Sequence, residues 1–346
     1  MAHDSLYAQP EAPAERAEAH AWWRTALTRW DTVIVVVLAA VVVVASLSID
    51  GFASTGNAQF LLLDVVPIAL IALPLTLIII TGEIDLSVAS TLGLCSAVMG
   101  QLWLTGLPLE VIVVLVVLLG GLLGAVNGVF VTRFGLPALA VTIGTLAAYR
   151  GLAYVVLGDR AVADFPYDWT AASLSTVAGG SLPWAMVMVL LLACAFGVVL
   201  HVTPFGRKLY AMGNNAEAAS FAGVSVATAK FWLFVTSGAV SGLAGVFWTL
   251  RFASARADNA FALELAVVAA VLLGGVSIFG GRGALLGVLA GVLLLGTVRN
   301  ALQLADVSSE ALYVVTGSLL VASVVVPNVV GMARSWLRRR RRAAPA

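Results

Sequence analysis

Ten apolar runs, each close to the length of a membrane-crossing helix, follow one another along most of this chain, and nothing constrains its fold more. An α-helix rises 1.5 Å per residue, so about twenty apolar residues cross a hydrocarbon core of about 30 Å. Residues 32–49, 61–81, 86–104, 109–131, 136–157, 182–202, 231–250, 263–279, 284–304 and 311–326 meet or approach that length. The runs at 263–279 and 311–326 are the shortest and the least secure as full crossings. Hydrophobic residues make up 61% of the 346 and charged residues 11%, against roughly 25% charged in ordinary soluble domains. Too few polar groups exist to cover a water-facing surface, so lipid must solvate much of the protein. The expected fold class is an all-α polytopic membrane protein of about ten transmembrane helices.

The placement of the basic residues orients the helices. With the N-terminus inside, Arg16, Arg24, Arg29, Arg133, Arg207, Lys208, Lys230, Arg282, Arg334 and Arg338 to Arg342 fall on cytosolic stretches. Only Arg150, Arg160, Arg251, Arg256 and Arg299 fall outside or within spans. That bias places both termini in the cytosol, which an even number of spans requires. The expected organisation is a cytosolic N-terminal extension at 1–31, a transmembrane domain at 32–330 with a cytosolic loop at 203–230, and a basic cytosolic tail at 331–346. The first thirty residues are too mixed in charge for a signal peptide and are expected to stay uncleaved, with Trp22, Trp23 and Trp30 at headgroup level. Arg338 to Arg342 read as an anchor to anionic lipid rather than a nucleic-acid tract.

Cys95 and Cys194 both lie inside apolar runs and read as buried free thiols. Neither has ligand spacing to another Cys or to His3, His20 or His201, so a metal site has no support. Gly120/Gly124/Gly128, Gly238/Gly242 and Gly283/Gly287/Gly291 repeat at GxxxG spacing, which permits close helix contact. Gly-Gly-Arg-Gly at 280–283 lacks the setting and the Lys-Ser/Thr of a nucleotide loop, so the chain binds no ATP by any recognisable motif.

Two connections are long: 158–181, expected outside, and 203–230, expected inside. In the second, Gly213-Asn214-Asn215 signals a turn. Asn215 can then cap a short helix whose first residues are Ala216, Glu217, Ala218 and Ala219, with Glu217 near its positive end. Gly223 stops it after about two turns. Such a helix is either a plain capped loop or a mechanical part pushed by a cytosolic partner. The second polar feature is Thr81-Gly-Glu-Ile-Asp-Leu-Ser-Val-Ala-Ser90, between two apolar runs. An ionised carboxylate costs about 2.5–3.5 kcal/mol at the centre of a membrane helix. Glu83 and Asp85 therefore sit at an interface, at a water-filled break, or in pairs. Asp85 with Ser87 can cap the next helix; Glu83 beside it is not explained that way, so a translocation path is the sharper reading. Asn127 can hydrogen-bond a neighbouring helix. Arg150 can snorkel outward or stand at an external mouth, and Glu264 is consistent with an interface or the same mouth.

Four ordered blocks carry a resemblance that covers roughly residues 55 to 326. Thr81-Gly-Glu-Ile-Asp-Leu-Ser-Val resembles the Gly-Ile-Asp-Leu-Ser-Val signature of the ribose/xylose/rhamnose-type permeases of ABC importers. Asn127-Gly-Val-Phe-Val, Leu136-Pro-Ala-Leu-Ala-Val-Thr-Ile-Gly-Thr and Tyr149-Arg-Gly are similar to the next stretch of that family. Gly206-Arg-Lys-Leu-Tyr-Ala-Met-Gly-Asn-Asn-Ala-Glu-Ala-Ala and Leu273-Gly-Gly-Val-Ser-Ile-Phe-Gly-Gly-Arg-Gly follow in order. Glu217-Ala-Ala-x-x-x-Gly223 resembles the EAA-type coupling loop, without its Ile-x-Leu-Pro end. Glu83 stands where the family often has Gly and Asn214-Asn215 where it has Gly-Asn, which fits a rhamnose-type or autoinducer-2-type subgroup.

The resemblance implies a multi-pass protein of the bacterial inner membrane that imports a pentose, deoxyhexose or autoinducer-2-like sugar. It implies two ATPase subunits or one double-domain ATPase, which bind the ATP, a second permease copy or paralogue, and a solute-binding protein docking near loops 158–181 and 251–262. ATPase coupling falls to Gly206, Arg207, Met212, Gly213, Asn214, Asn215, Glu217, Ala218, Ala219 and Gly223. The translocation path falls to Glu83, Asp85, Ser87, Asn127, Thr142, Arg150 and Glu264. No cofactor, catalytic or metal role is expected. A branched-chain amino-acid permease, an ion-coupled secondary transporter and, least well supported, a membrane enzyme are the alternatives.

Overall fold

The protein is described by a computed structural model over residues 30–308 and 310–323, with 325 and 329. Its helices are α1 (Trp30–Ser48), α2 (Thr55–Ile80), α3 (Val88–Trp103), α4 (Leu109–Thr132), α5 (Ala138–Leu157), α6 (Tyr167–Leu174), α7 (Trp184–His201), α8 (Pro204–Asn214), α9 (Ala216–Phe221), α10 (Val226–Arg251), α11 (Leu263–Leu273) and α12 (Leu285–Leu304), followed by α13 (Glu310–Ser323). Seven of them, α1, α2, α4, α5, α7, α10 and α12, are long and apolar enough to cross a membrane. With no polar face on any of these helices, partner choice rests on shape, and small residues set the closest approaches.

α2 is the axis of the bundle. Every residue from Val65 to Ile80 is buried, with α7, α8, α10, α11 and α12 packed around it. A helix apolar on all sides belongs at such a centre. Ser54 caps it by accepting the Asn57 amide N–H, and Asn57 and Asn300 exchange side-chain hydrogen bonds at 2.9 Å, tying its first turn to α12. Pro67 and Pro74 lie within it; each removes one backbone donor, a loss tolerated where neighbouring helices enclose the backbone. α1 lies at the edge on α12 and presents Val36, Val43 and Val44 outward, as a lipid-facing helix does.

The glycine repeats do what their spacing allows. A Cβ added at Gly124 would collide with the Phe234 carbonyl oxygen, and one at Gly238 with that of Gly120, so α4 and α10 meet backbone to backbone. Gly287 and Gly291 on α12 face the Gly274 and Ala270 carbonyls at the end of α11 in the same way.

Ten helices stand where the ten runs were read, but their limits differ. The eighth run was expected to reach 279, whereas α11 stops at Leu273. The chain there turns back through Gly275, Gly280 and Gly281, all at positive φ that glycine adopts without a side-chain clash. α3 and α13 are also shorter than full spans. α10 begins at Val226 rather than 231, so Lys230 sits in its second turn and not in a loop. The connection 158–181 contains α6 and a single 3-10 turn, Val177–Gly179. Cys95 is buried as expected, but Cys194 is exposed, because α7 turns that face away from the bundle. Trp30 donates its indole N–H to the Leu273 carbonyl at 2.8 Å. Trp22, Trp23 and Arg338 to Arg342 lie outside the described residues.

Candidate translocation and coupling site

The seven residues 81–87 leave the end of α2 without regular structure before α3 begins, and the polar residues of the bundle gather there. Thr81 hydrogen-bonds back to Ile78, and Gly82 turns at φ +85°. Asp85 Oδ1 then accepts the Ser87 amide N–H at 3.0 Å and the Ser87 hydroxyl at 2.6 Å, a turn that precedes α3 rather than the cap expected of it, since Ser87 holds the N-cap position and makes no side-chain cap bond. Asp85 also reaches other helices. Its other oxygen accepts the Ser237 hydroxyl of α10 at 3.3 Å, Asn127 of α4 donates to Ser87 Oγ at 2.8 Å, and Thr142 of α5 donates to the Ile84 carbonyl at 3.2 Å. Asp85, Ser87, Asn127 and Thr142 are thus brought together, and all are buried. Burial pushes the Asp85 carboxyl above its ordinary value, against the lowering effect of the Ser87 and Ser237 hydrogen bonds. Within the knot, Asn127 Oδ1 and the nearby Ser241 hydroxyl have no partner.

Glu83 stands apart from this knot. Its Oε1 lies 2.5 Å from Lys230 Nζ, in a pair whose side chains are 21% and 15% exposed. Sequence reading counted Lys230 only as a topological charge and missed its role as partner.

Arg150 and Glu264 are not part of the knot. The Arg150 guanidinium donates to the Ala257 and Asn259 carbonyls at 2.8 Å and to Ala260 at 3.3 Å, with the Phe261 ring 5.9 Å away. It fastens the connection between α10 and α11 to the bundle; it does not reach outward, so the snorkelling expectation is corrected. Glu264, in the first turn of α11, lies within its electrostatic reach. At that same end of the bundle, Asp64 of α2 pairs with Arg251 of α10 at 2.5 Å. Asp64 escaped sequence reading although a lone carboxylate inside an apolar run is a strong signal.

The long connection before α10 is two helices rather than one. α8 runs through the expected turn at Gly213, and the break falls at Asn215, whose side chain caps α9 by accepting the Ala218 amide N–H at 2.8 Å. Gly223, at φ +83°, follows the end of α9. Of the residues read as coupling contacts, Gly206, Met212 and Ala219 face inward. Arg207, Asn214, Asn215, Glu217, Ala218 and Gly223 are exposed. Gly213 is half-buried against the Ile80 carbonyl and Gly281, where a Cβ has no room. Tyr210 hydroxyl donates to Gly283 at 2.8 Å and the Gly281 amide to Ile80 at 2.9 Å. α8, the 280–283 hairpin and the end of α2 are therefore one keyed unit. Phe221, at the end of α9, is 86% exposed beside that unit.

The buried axial helix thus ends at a polar knot, with a short helix pair keyed to the same end. No solved structure matches the chain. Residues 57–324 match the family described as branched-chain amino acid transport system / permease component, and the chain belongs to that family. It is 32% identical over 315 residues, 89% of this chain and 95% of the relative, to the autoinducer 2 import system permease protein LsrD of Enterobacter sp. (strain 638). It is 34% identical over 281 residues to the LsrD protein of Klebsiella pneumoniae, covering 80% of this chain and 84% of that one. With LsrD of Yersinia pseudotuberculosis serotype O:1b it shares 30% over 322 residues, 90% and 96% of the two chains. The chain is accordingly a multi-pass inner-membrane permease subunit of an ABC-type importer, without an ATPase of its own.

Proposed function

We propose that this permease forms the translocation path for a small sugar or sugar-like signal of the autoinducer-2, ribose, xylose or rhamnose class, delivered by a solute-binding protein and driven by partner ATPases docked on α8 and α9. Both termini are cytosolic, and a second permease copy or paralogue completes the path. One observation carries the mechanical half of this reading: α8 is keyed to the end of the axial helix through Gly213 and Ile80. A push on the exposed Glu217 and Phe221 surface reaches α2 through that contact, and reaches the Asp85 connector through Lys230 and Glu83.

The sealed knot of Asp85, Ser87, Asn127 and Ser237 is then the closed state of the inner half of the path. Arg150 and Glu264 belong to the outer end, where Arg150 holds the loop that a binding protein meets. The names of the three relatives above, each an autoinducer 2 import permease, support the cargo class.

The test is uptake by the chain reconstituted with its ATPase and binding protein in proteoliposomes. Accumulation of autoinducer 2, D-ribose, D-xylose or L-rhamnose is expected on ATP addition. Accumulation of L-leucine alone would replace the sugar reading with the amino-acid one that the family description also covers.

A further inference from the structure

Between α2, α10, the start of α11 and α12 lies a cavity of about 150 Å³ at the end of the bundle away from α8 and α9. A single water needs roughly 10–15 Å³ measured in this way, so the cavity has room for a molecule of monosaccharide size. Its walls join Asp64, Arg251, Arg299 and Gln303 to the Trp248 ring and the apolar side of Leu263. Arg251 is held in place: Asp64 pairs with it at 2.5 Å, and the Phe60 and Phe252 rings flank its guanidinium at 5.5 and 4.9 Å. Arg299 is half-buried, lines the cavity, and among the described residues makes no hydrogen bond or ion pair.

These walls present an acceptor-only carboxylate and a donor-only guanidinium to the same small space, next to an aromatic face. A hydroxyl both donates and accepts, so vicinal hydroxyls satisfy Asp64 and Arg299 together while the C–H face of the molecule lies on Trp248. From this arrangement we infer that the cavity is a substrate subsite for a neutral, monosaccharide-sized polyhydroxylated molecule, with Asp64 and Arg299 as its polar contacts and Trp248 as its stacking face. The inference rests on the importer reading and adds to it the residues that recognise the cargo at the outer mouth.

Gln303 is exposed on the cavity wall, which gives a readout of occupancy independent of transport. In the assembled importer carrying Gln303→Cys and Cys194→Ala, labelling by a membrane-impermeant maleimide is timed with and without D-ribose, D-xylose, L-rhamnose, autoinducer 2 or L-leucine. Uptake of the same panel is measured with the unsubstituted chain. The transported sugar is expected to slow labelling about tenfold at roughly ten times its Kd. Adding Trp248→Leu raises the half-protecting concentration about three- to tenfold, and adding Asp64→Asn or Arg299→Gln abolishes protection. A sugar that is transported yet leaves labelling unchanged overturns the subsite while the importer reading stands. Transport and protection by L-leucine alone overturn both.

Discussion

Lys230 Nζ lies 2.5 Å from Glu83 Oε1, joining the second turn of α10 to the connector that follows the axial helix. α10 begins five residues after the end of α9, so this pair is the short covalent and ionic route from the exposed helix pair to the buried knot. Removing one partner leaves the other charged and mostly buried, at a cost of about 1–3 kcal/mol after discounting for its residual exposure. Glu83→Gln and Lys230→Met are each expected to lower the unfolding temperature in detergent and to slow ATP-driven uptake. The exchanged pair Glu83→Lys with Lys230→Glu recovers part of both. Additive losses in the double variant would show that the two side chains are not coupled.

The closeness of α4 and α10 gives a paired test. Gly124→Ala drives a methyl into the Phe234 carbonyl, whereas the nearest atom to a Cβ at Gly121 is 3.7 Å away. Overpacking of this kind costs about 1–3 kcal/mol. Thermal unfolding of purified protein is expected to separate the two, with Gly124→Ala destabilised and Gly121→Ala close to wild type. Equal behaviour would mean that the two helices do not approach as described.

Arg150 offers its guanidinium to three carbonyls of the connection before α11. Arg150→Met strands them, and a buried acceptor without a partner costs about 1–3 kcal/mol. Limited proteolysis of intact membrane preparations is expected to cut near 253–262 faster in Arg150→Met, with Arg150→Lys intermediate because one ammonium cannot reproduce the planar fork. An unchanged cutting rate would remove the anchoring role.

Asp85 holds Ser87 of the connector and Ser237 of α10. Asp85→Ala should reduce uptake by the assembled importer more than it reduces the yield of assembly, since α3 has further turns in contact with its neighbours. Parallel loss of uptake and yield would leave holding the connector together as the whole role of this carboxylate.

Membrane embedding was readable because apolar length is a local property, and the glycine repeats marked helix contacts for the same reason, although only seven of the ten expected spans are helices long enough to cross. Helix ends were less legible. α11 is cut short by the glycines after Leu273, and α10 extends through Lys230, because tertiary partners decide whether a polar residue can stay in a helix. Asp85 and Asn127 were visible as polar intrusions, yet their meeting through Ser87 depends on how α3, α4 and α10 cross. Lys230 and Arg251 looked like topological charges. Their partners, Glu83 and Asp64, are 147 and 187 residues away, a separation that no local pattern reveals.

The central claim is that α8 and α9 receive a partner's ATP-driven push and pass it to α2. Glu217 and Phe221 are exposed and take no part in the bundle core, so Glu217→Arg with Phe221→Ser should leave membrane insertion intact. The most direct measurement is uptake by proteoliposomes holding the complete importer, with ATP or with an imposed proton or sodium gradient, in the wild type and in this double variant. Wild type is expected to accumulate substrate with ATP alone, and the variant to lose both that accumulation and co-purification of the ATPase. Gradient-driven accumulation by the chain without any ATPase, or full ATP-driven uptake and ATPase retention by the variant, would contradict the account.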